Sequence, residues 1–137
     1  MIVVDTSVFV CIAMGEPDYP RFVEALRMAP ARAMSAGSYL ECAIIAQSRL
    51  GGRGALDEWL RAETIEIAPV DHDLAALAAD AFASFGRGRH PAGLNYGDCF
   101  AYALAKSRRA RILYKGDDFA RTDIESALSQ LEPPSTA

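Results

Sequence analysis

The sequence predicts an α/β fold with a mostly parallel central sheet, and three observations carry that reading. The chain opens Met1-Ile2-Val3-Val4-Asp5-Thr6-Ser7, an apolar run closed by an acid and two hydroxyls, which describes a buried strand ending on a carboxylate. Further short β-type runs follow, separated from one another by one or more stretches of helical periodicity. Carboxylates recur where strands end and helices begin, and in an open parallel sheet those positions share one edge, where ligands collect.

Taken in order, Ser7 is placed to cap a short helix over 8–14, apolar throughout and so expected to be buried, with Gly15 closing it. Residues 17–29 read as a second helix, with Phe22, Leu26 and Met28 on its apolar side and Arg21 and Arg27 in water. Residues 32–35 carry a weak β signal and are assigned the second strand. A helix over 38–50 follows, with Leu40, Ala43, Ile44 and Gln47 along one side and Gly51-Gly52 ending it. Residues 55–62 add a helical segment around Leu56, Trp59 and Leu60, and residues 65–70 form the third strand. Asp71 caps a long helix in which Leu74, Leu77, Ala78, Ala81 and Phe85 recur with helical period. Residues 86–93 are a glycine-rich, basic loop. Asn95 caps a helix over 96–109, residues 111–114 are the fourth strand, and the loop Gly116-Asp117-Asp118-Phe119 follows it. Thr122-Asp123-Ile124 leads into a last short element.

At 137 residues with 51% hydrophobic content, the chain is expected to form one domain over 1–131 with a loose tail over 132–137. A net charge of -4 and a pI near 5.1 exclude a bulk basic field for nucleic acid, though not local basic patches. Cys11, Cys42 and Cys99 are odd in number and far apart, and with two histidines no zinc-like spacing exists. They read as buried thiols of a reducing compartment. Cys42 and Cys99 directly follow acids, but a helix turns neighbours by about 100°, so they point elsewhere. No signal peptide or membrane span is visible, and the expected location is cytoplasmic.

Four places present acids where a site can assemble: Asp5, Glu41, Asp98 and the pair Asp117-Asp118. Each has a structural alternative. Ser38-x-x-Glu41 is a capping box and Asn95 with Asp98 a weaker one, Asp117-Asp118 suits a turn, and Asp5 suits an Asx-turn cap. Together they change the case, because carboxylates gathered at one edge repel one another and a bound divalent cation relieves that repulsion. Oxygen-only ligands suit Mg²⁺ or Mn²⁺, and two such ions about 4 Å apart can activate water in phosphodiester cleavage.

The ordered set of stretches 2–7, 38–41, 95–105 and 113–124 resembles a PIN domain, and specifically the VapC-like toxins of bacterial toxin–antitoxin systems. The resemblance implies a three-layer α/β/α fold and a Mg²⁺-dependent endoribonuclease acting on single-stranded or loop regions of RNA. It implies Asp5 and Asp98 as principal metal ligands, Glu41 as the third acid, and Ser7 with Thr6 as the hydroxyls steadying Asp5. It favours Asp118 over Asp117 as the fourth acid and leaves Asp123 a supporting place. It further implies a homodimer and a small antitoxin partner. For RNA contact the candidates are Arg87 and Arg89 in the glycine-rich loop and Lys115, with the run Lys106 to Arg111 either part of that surface or a complement to a helix C-terminus.

Readings of other classes have discriminating features. A phospho-acceptor receiver domain needs an acidic pair after the first strand, and Asp5 has no acidic neighbour. A haloacid-dehalogenase-like phosphatase needs a second Asp two residues after the first, where Ser7 stands. A non-catalytic PIN-like binding module would have lost acids that this chain keeps.

Overall fold

Apolar strands that alternate in facing must be covered on both sides, and the computed structural model, which describes residues 1–131, does so with two helical layers. The elements are β1 (Ile2–Val4), α1 (Thr6–Ala13), α2 (Tyr19–Met28), β2 (Arg32–Ser35), α3 (Ala36–Arg49), α4 (Gly54–Ala62), β3 (Ile65–Ala68), α5 (His72–Phe85), α6 (Tyr96–Arg108), β4 (Arg111–Leu113) and a short 3-10 turn, Ala127–Gln130. The sheet order is β3-β2-β1-β4 and every pairing is parallel. Alternation along β1 builds two cores. Ile2 and Val4 join Val8, Phe22, Leu26, Met34 and Leu56 on one face, while Val3 joins Leu94, Tyr102, Leu104, Ile112 and Phe119 on the other. The fold is therefore the three-layer α/β/α arrangement. The tail expected over 132–137 lies outside the described residues.

The chain runs outward from β1 to β2 to β3, then returns to the other side of β1 for β4. That reversal opens a crevice at the carboxyl ends of β1 and β4, the position where open α/β sheets bind ligands. Asp5 N–H donates to the Leu113 carbonyl at 3.0 Å, so the two strand ends are tied together there.

Several helix starts differ from expectation. Asp5, not Ser7, is the N-cap of α1, since the strand turns straight into the helix with no loop between. Likewise Ser35 caps α3, accepting from Gly37 N–H at 3.2 Å, so the helix begins before Ser38. Ser38 is buried inside that helix and its hydroxyl has no protein partner among the described residues, so Ser38-x-x-Glu41 is not a capping box. The helix 17–29 starts later, at Tyr19, with Pro20 in its first turn, where a missing N–H does no harm. Asp71 and Asn95 cap α5 and α6 as expected.

The apolar faces also shift. Met28 is 60% exposed, and on α3 Leu40 and Ile44 are 59% and 55% exposed while Cys42, Ala43 and Ala46 are buried. Small residues face the sheet because α3 packs close to it. Leu77 of α5 is partly exposed too. All three cysteines are buried free thiols. Burial pushes Cys42 up to about 12 and Cys99 to about 11, which leaves them inert as nucleophiles. Trp59 packs on Phe9, and Phe85 on Tyr102 and His90, so both aromatics belong to the packing. Among the described residues no helix is long and apolar enough to cross a membrane.

Candidate active site

Three helix starts converge on the crevice between β1 and β4. Asp5 enters from the end of β1, Glu41 from the second turn of α3, and Asp98 from the first turn of α6. The loop after β4 adds Asp118. Asp5 and Asp98 are buried although charged groups rarely are, which marks the pair as needing an explanation.

Asp5, Glu41 and Asp98 each have one oxygen held by the protein. Asp5 Oδ2 accepts from Ser7 N–H at 3.1 Å and from the Ser7 hydroxyl at 2.6 Å. Ser7 Oγ in turn accepts from Lys115 N–H at 2.9 Å, so its hydrogen-bonding capacity bridges the ends of β1 and β4. Glu41 Oε1 accepts from the Thr6 hydroxyl at 2.9 Å. Asp98 Oδ2 accepts from Asn95 N–H at 3.0 Å, and Asn95 Oδ1 accepts from Asp98 N–H at 2.9 Å, a complete capping box. The other oxygen of Asp5, Glu41 and Asp98 has no hydrogen-bond partner among the described residues. For Asp5 and Asp98, cap and site are thus the same residue: the helix start fixes one oxygen and leaves the other without a protein partner among the described residues.

The electrostatics agree. Burial raises the Asp98 carboxyl to about 7 against the opposing Asn95 N–H bond, with further upward pressure from Asp118, Asp5 and Glu41. Burial likewise raises Asp5, against its two bonds from Ser7, and Glu41 and Asp118 add to it. These four acids therefore sense one another. Asp117 does not enter that set: its charge acts on Tyr114, and its carbonyl accepts from Ala120 N–H in a turn. The structure brings Asp118 to the site and gives Asp117 to the turn.

The donors suit a hard cation by their chemistry, being oxygen throughout and repelling one another. Among the described residues no three His, Cys, Asp or Glu side chains stand close enough to ligate one ion directly. Mg²⁺ is compatible with such an open arrangement because it keeps several of its waters and takes only one or two carboxylates.

Other expected residues fall elsewhere. Asp123 accepts from Tyr102 Oη at 2.6 Å and pairs with Lys106 at 2.5 Å, on the far part of α6. It does not join the acids, because a helix that starts at the carboxyl edge carries its later turns to the opposite edge. The same geometry removes the basic run from the site. Besides Lys106, Arg108 pairs bidentately with Glu66, and Arg111 with Glu125 at 2.9 Å. Lys115 is near the site, but its ammonium is engaged by Glu16 at 3.0 Å and Asp18 at 2.9 Å, a clasp holding the α1–α2 loop against β4. The Lys115 ammonium is thus taken up by two carboxylates of this chain. Arg87 and Arg89 are exposed in a loop closed by mutual backbone bonds of Phe85, Arg87 and Leu94, and neither pairs with a carboxylate among the described residues. Pro91, Ala92, Asp117, Asp118, Ala120 and Arg121 line one open depression, so the end of that loop borders Asp118. Arg121, exposed beside Asp118, was not singled out from the sequence. Its only signal there is its place three residues after that acid.

Comparison with known proteins gives a consistent result. Residues 2–125 match the PIN domain family. A protein named Ribonuclease VapC from Mycolicibacterium smegmatis is 47% identical over 124 residues, covering 89% of this chain and 96% of that protein. Ribonuclease VapC30 of Mycobacterium tuberculosis is 45% identical over 124 residues, covering 89% and 95%. Among solved structures, VapC20 of Mycobacterium tuberculosis, described as a sarcin-ricin loop cleaving toxin, superposes with a TM-score of 0.72 at 18% identity over 90% of this chain and 96% of the other. A toxin–antitoxin complex from Klebsiella pneumoniae gives 0.68 at 18% identity, covering 90% and 93%.

Proposed function

This chain belongs to the PIN-domain family as a ribonuclease of the VapC kind, and from that membership we propose that Asp5, Asp98, Glu41 and Asp118 hold Mg²⁺ (or Mn²⁺) to hydrolyse RNA. The observation that carries the reading is the pair Asp5 and Asp98. Both are buried at the crevice between β1 and β4, both are pushed toward protonation, and each keeps one oxygen out of the protein's own hydrogen bonds. Carboxylates so arranged are stabilised by a cation in a way that a structural cap alone would not need.

A divalent cation held by these acids would supply Lewis acidity, activating water toward phosphorus and offsetting charge on the leaving 3′ oxygen. The chain's residues do the rest. Asp5 and Asp98 provide the principal oxygens, and Glu41 acts as a third, directly or through water. Asp118, exposed on its loop, completes the set. Ser7 and Thr6 fix the orientation of Asp5 and Glu41 by donating to one oxygen of each. Arg121 borders Asp118, and Arg87 and Arg89 are exposed in the loop that leads to that depression, so all three suit the phosphates of a single strand, where backbone charge provides most of the affinity. The 2′ hydroxyl has no part in this chemistry.

The proposal extends to partners. A small antitoxin presenting an arginine to the acids would neutralise them by charge-assisted hydrogen bonds. The exposed Leu40 and Ile44 of α3 and Tyr96 of α6 offer apolar surface for that partner or for a second copy of the chain. We place the protein in the cytoplasm on the same reading.

The test is RNA cleavage with and without Mg²⁺ by the parent, Asp5→Asn and Asp98→Asn. The expected result is metal-dependent cutting by the parent alone, with 5′ phosphate and 3′ hydroxyl ends. Undiminished cutting by both variants, or 2′,3′-cyclic phosphate ends, would refute the assignment.

A further inference from the structure

We propose that Gly97 is a positioning residue for Glu41: its bare Cα forms the floor on which the Glu41 carboxylate rests. The inference relies on the reading of Glu41 as a site acid given above.

Gly97 is the second residue of α6, and its backbone is ordinary helix with no positive φ. Nothing in its conformation calls for glycine, and glycine is a poor helix former. The reason lies in what faces it. A Cβ built on Gly97 would stand 2.3 Å from Glu41 Oε2, 2.6 Å from Cδ and 2.7 Å from Oε1. No side chain at 97 is compatible with Glu41 where it now sits. Opposite this floor, the Thr6 hydroxyl holds Oε1 at 2.9 Å. Glu41 of α3 is therefore lodged between α1 and α6, and its aim depends on both walls.

The packing of α3 on α6 is reciprocal. Gly37 of α3 receives the Phe100 ring, where a Cβ would lie 2.4 Å from the ring, and Gly97 of α6 receives Glu41. Each helix thus offers one glycine to a side chain of the other, near the starts of both. The two glycines are not equivalent in consequence. Phe100 is part of the packing, so a methyl at 37 disturbs the helix contact. Glu41 ends in a flexible carboxylate, so a methyl at 97 displaces that carboxylate and leaves the helices in place.

The experiment is a double-mutant cycle on Gly97→Ala and Glu41→Asp, read by Mn²⁺ binding calorimetry, RNA cleavage and thermal melting. Shortening residue 41 withdraws its carboxylate from the floor, so the two changes should not add. Gly97→Ala alone is expected to melt no lower than the parent and to lose about 10–100-fold in both Mn²⁺ affinity and cleavage, the range for groups that orient a metal's ligands. Added to Glu41→Asp, it should change either by no more than about twofold. An equal loss in both backgrounds would overturn the proposal, since a general effect on α6 does not depend on residue 41. If Gly97→Ala melts below the parent, recovery of melting in the double variant supports the clash and continued instability refutes it. Glu41→Gln separates the two levels of inference. Should it bind Mn²⁺ and cut like the parent, Glu41 is no site acid and the proposal falls with it. Should it be inactive while Gly97→Ala matches the parent, the Gly97 proposal alone fails.

Discussion

Replacing Asp98 with asparagine should make the metal-free protein more stable at alkaline pH than its parent, and the structure sets the size of the effect. Burial holds the Asp98 carboxyl at about 7 in the fold, against 3.8 for an ordinary aspartate. A raised folded pKa means that the native state binds a proton which the unfolded chain has already released. The term therefore vanishes below about pH 4, grows as pH rises toward 7, and is fully unfavourable above that. Integrated between about pH 5 and about pH 8, it removes on the order of 2.5 kcal/mol of stability. Asparagine lacks the titration but keeps an oxygen for Asn95 N–H, so the capping box survives the change. Denaturant unfolding in the presence of a chelator, at both pH values, measures the difference. The parent should lose on the order of 2–3 kcal/mol more than Asp98→Asn on going from the lower to the higher pH. Asp5 is also raised, and removing its neighbour's charge lowers it, so its contribution has the same sign. Parallel pH profiles in parent and variant would show that Asp98 ionises freely and refute the burial argument.

Two further outcomes follow from the hydrogen bonds. Ser7→Ala removes the hydroxyl that both donates to Asp5 and accepts from Lys115 N–H, so it should destabilise the fold by about 1–3 kcal/mol, measured by denaturant unfolding, and reduce cleavage about 10–100-fold. Asp123→Asn should leave metal-dependent cleavage at the parental rate, measured on the same RNA, because Asp123 serves Tyr102 and Lys106 on the far part of α6. A loss of cleavage there comparable to that of Asp98→Asn would return Asp123 to the site.

The element order and the sheet class were legible in the sequence because each rests on local chemistry: apolar runs for strands, 3.6-residue periodicity for helices, and Asp71 and Asn95 as caps. Even the weak segment 32–35 is a strand, since it pairs on both sides with stronger neighbours. The four acids were legible as a set because a parallel sheet brings strand ends and helix starts to one edge whatever their separation in the chain. Helix starts were less legible. Ser7 and Ser38 are competent caps, and only the position at which each strand ends made Asp5 and Ser35 the caps instead.

What tertiary structure alone decided is which charges meet. Adjacent in sequence, Asp117 and Asp118 differ in fate because a turn sends one toward Tyr114 and the other toward Asp98. Lys115 is near the acids and still occupied, because Glu16 and Asp18 arrive from a loop some hundred positions earlier. Gly97 has no special backbone to announce it, and its significance comes wholly from Glu41 lying across it. Sequence by itself determined the chemistry at hand, oxygen donors at one edge of an α/β sheet. Distances among side chains from separate elements determined which of those donors share a crevice, because electrostatic and steric forces act through space and the order of residues along a chain does not.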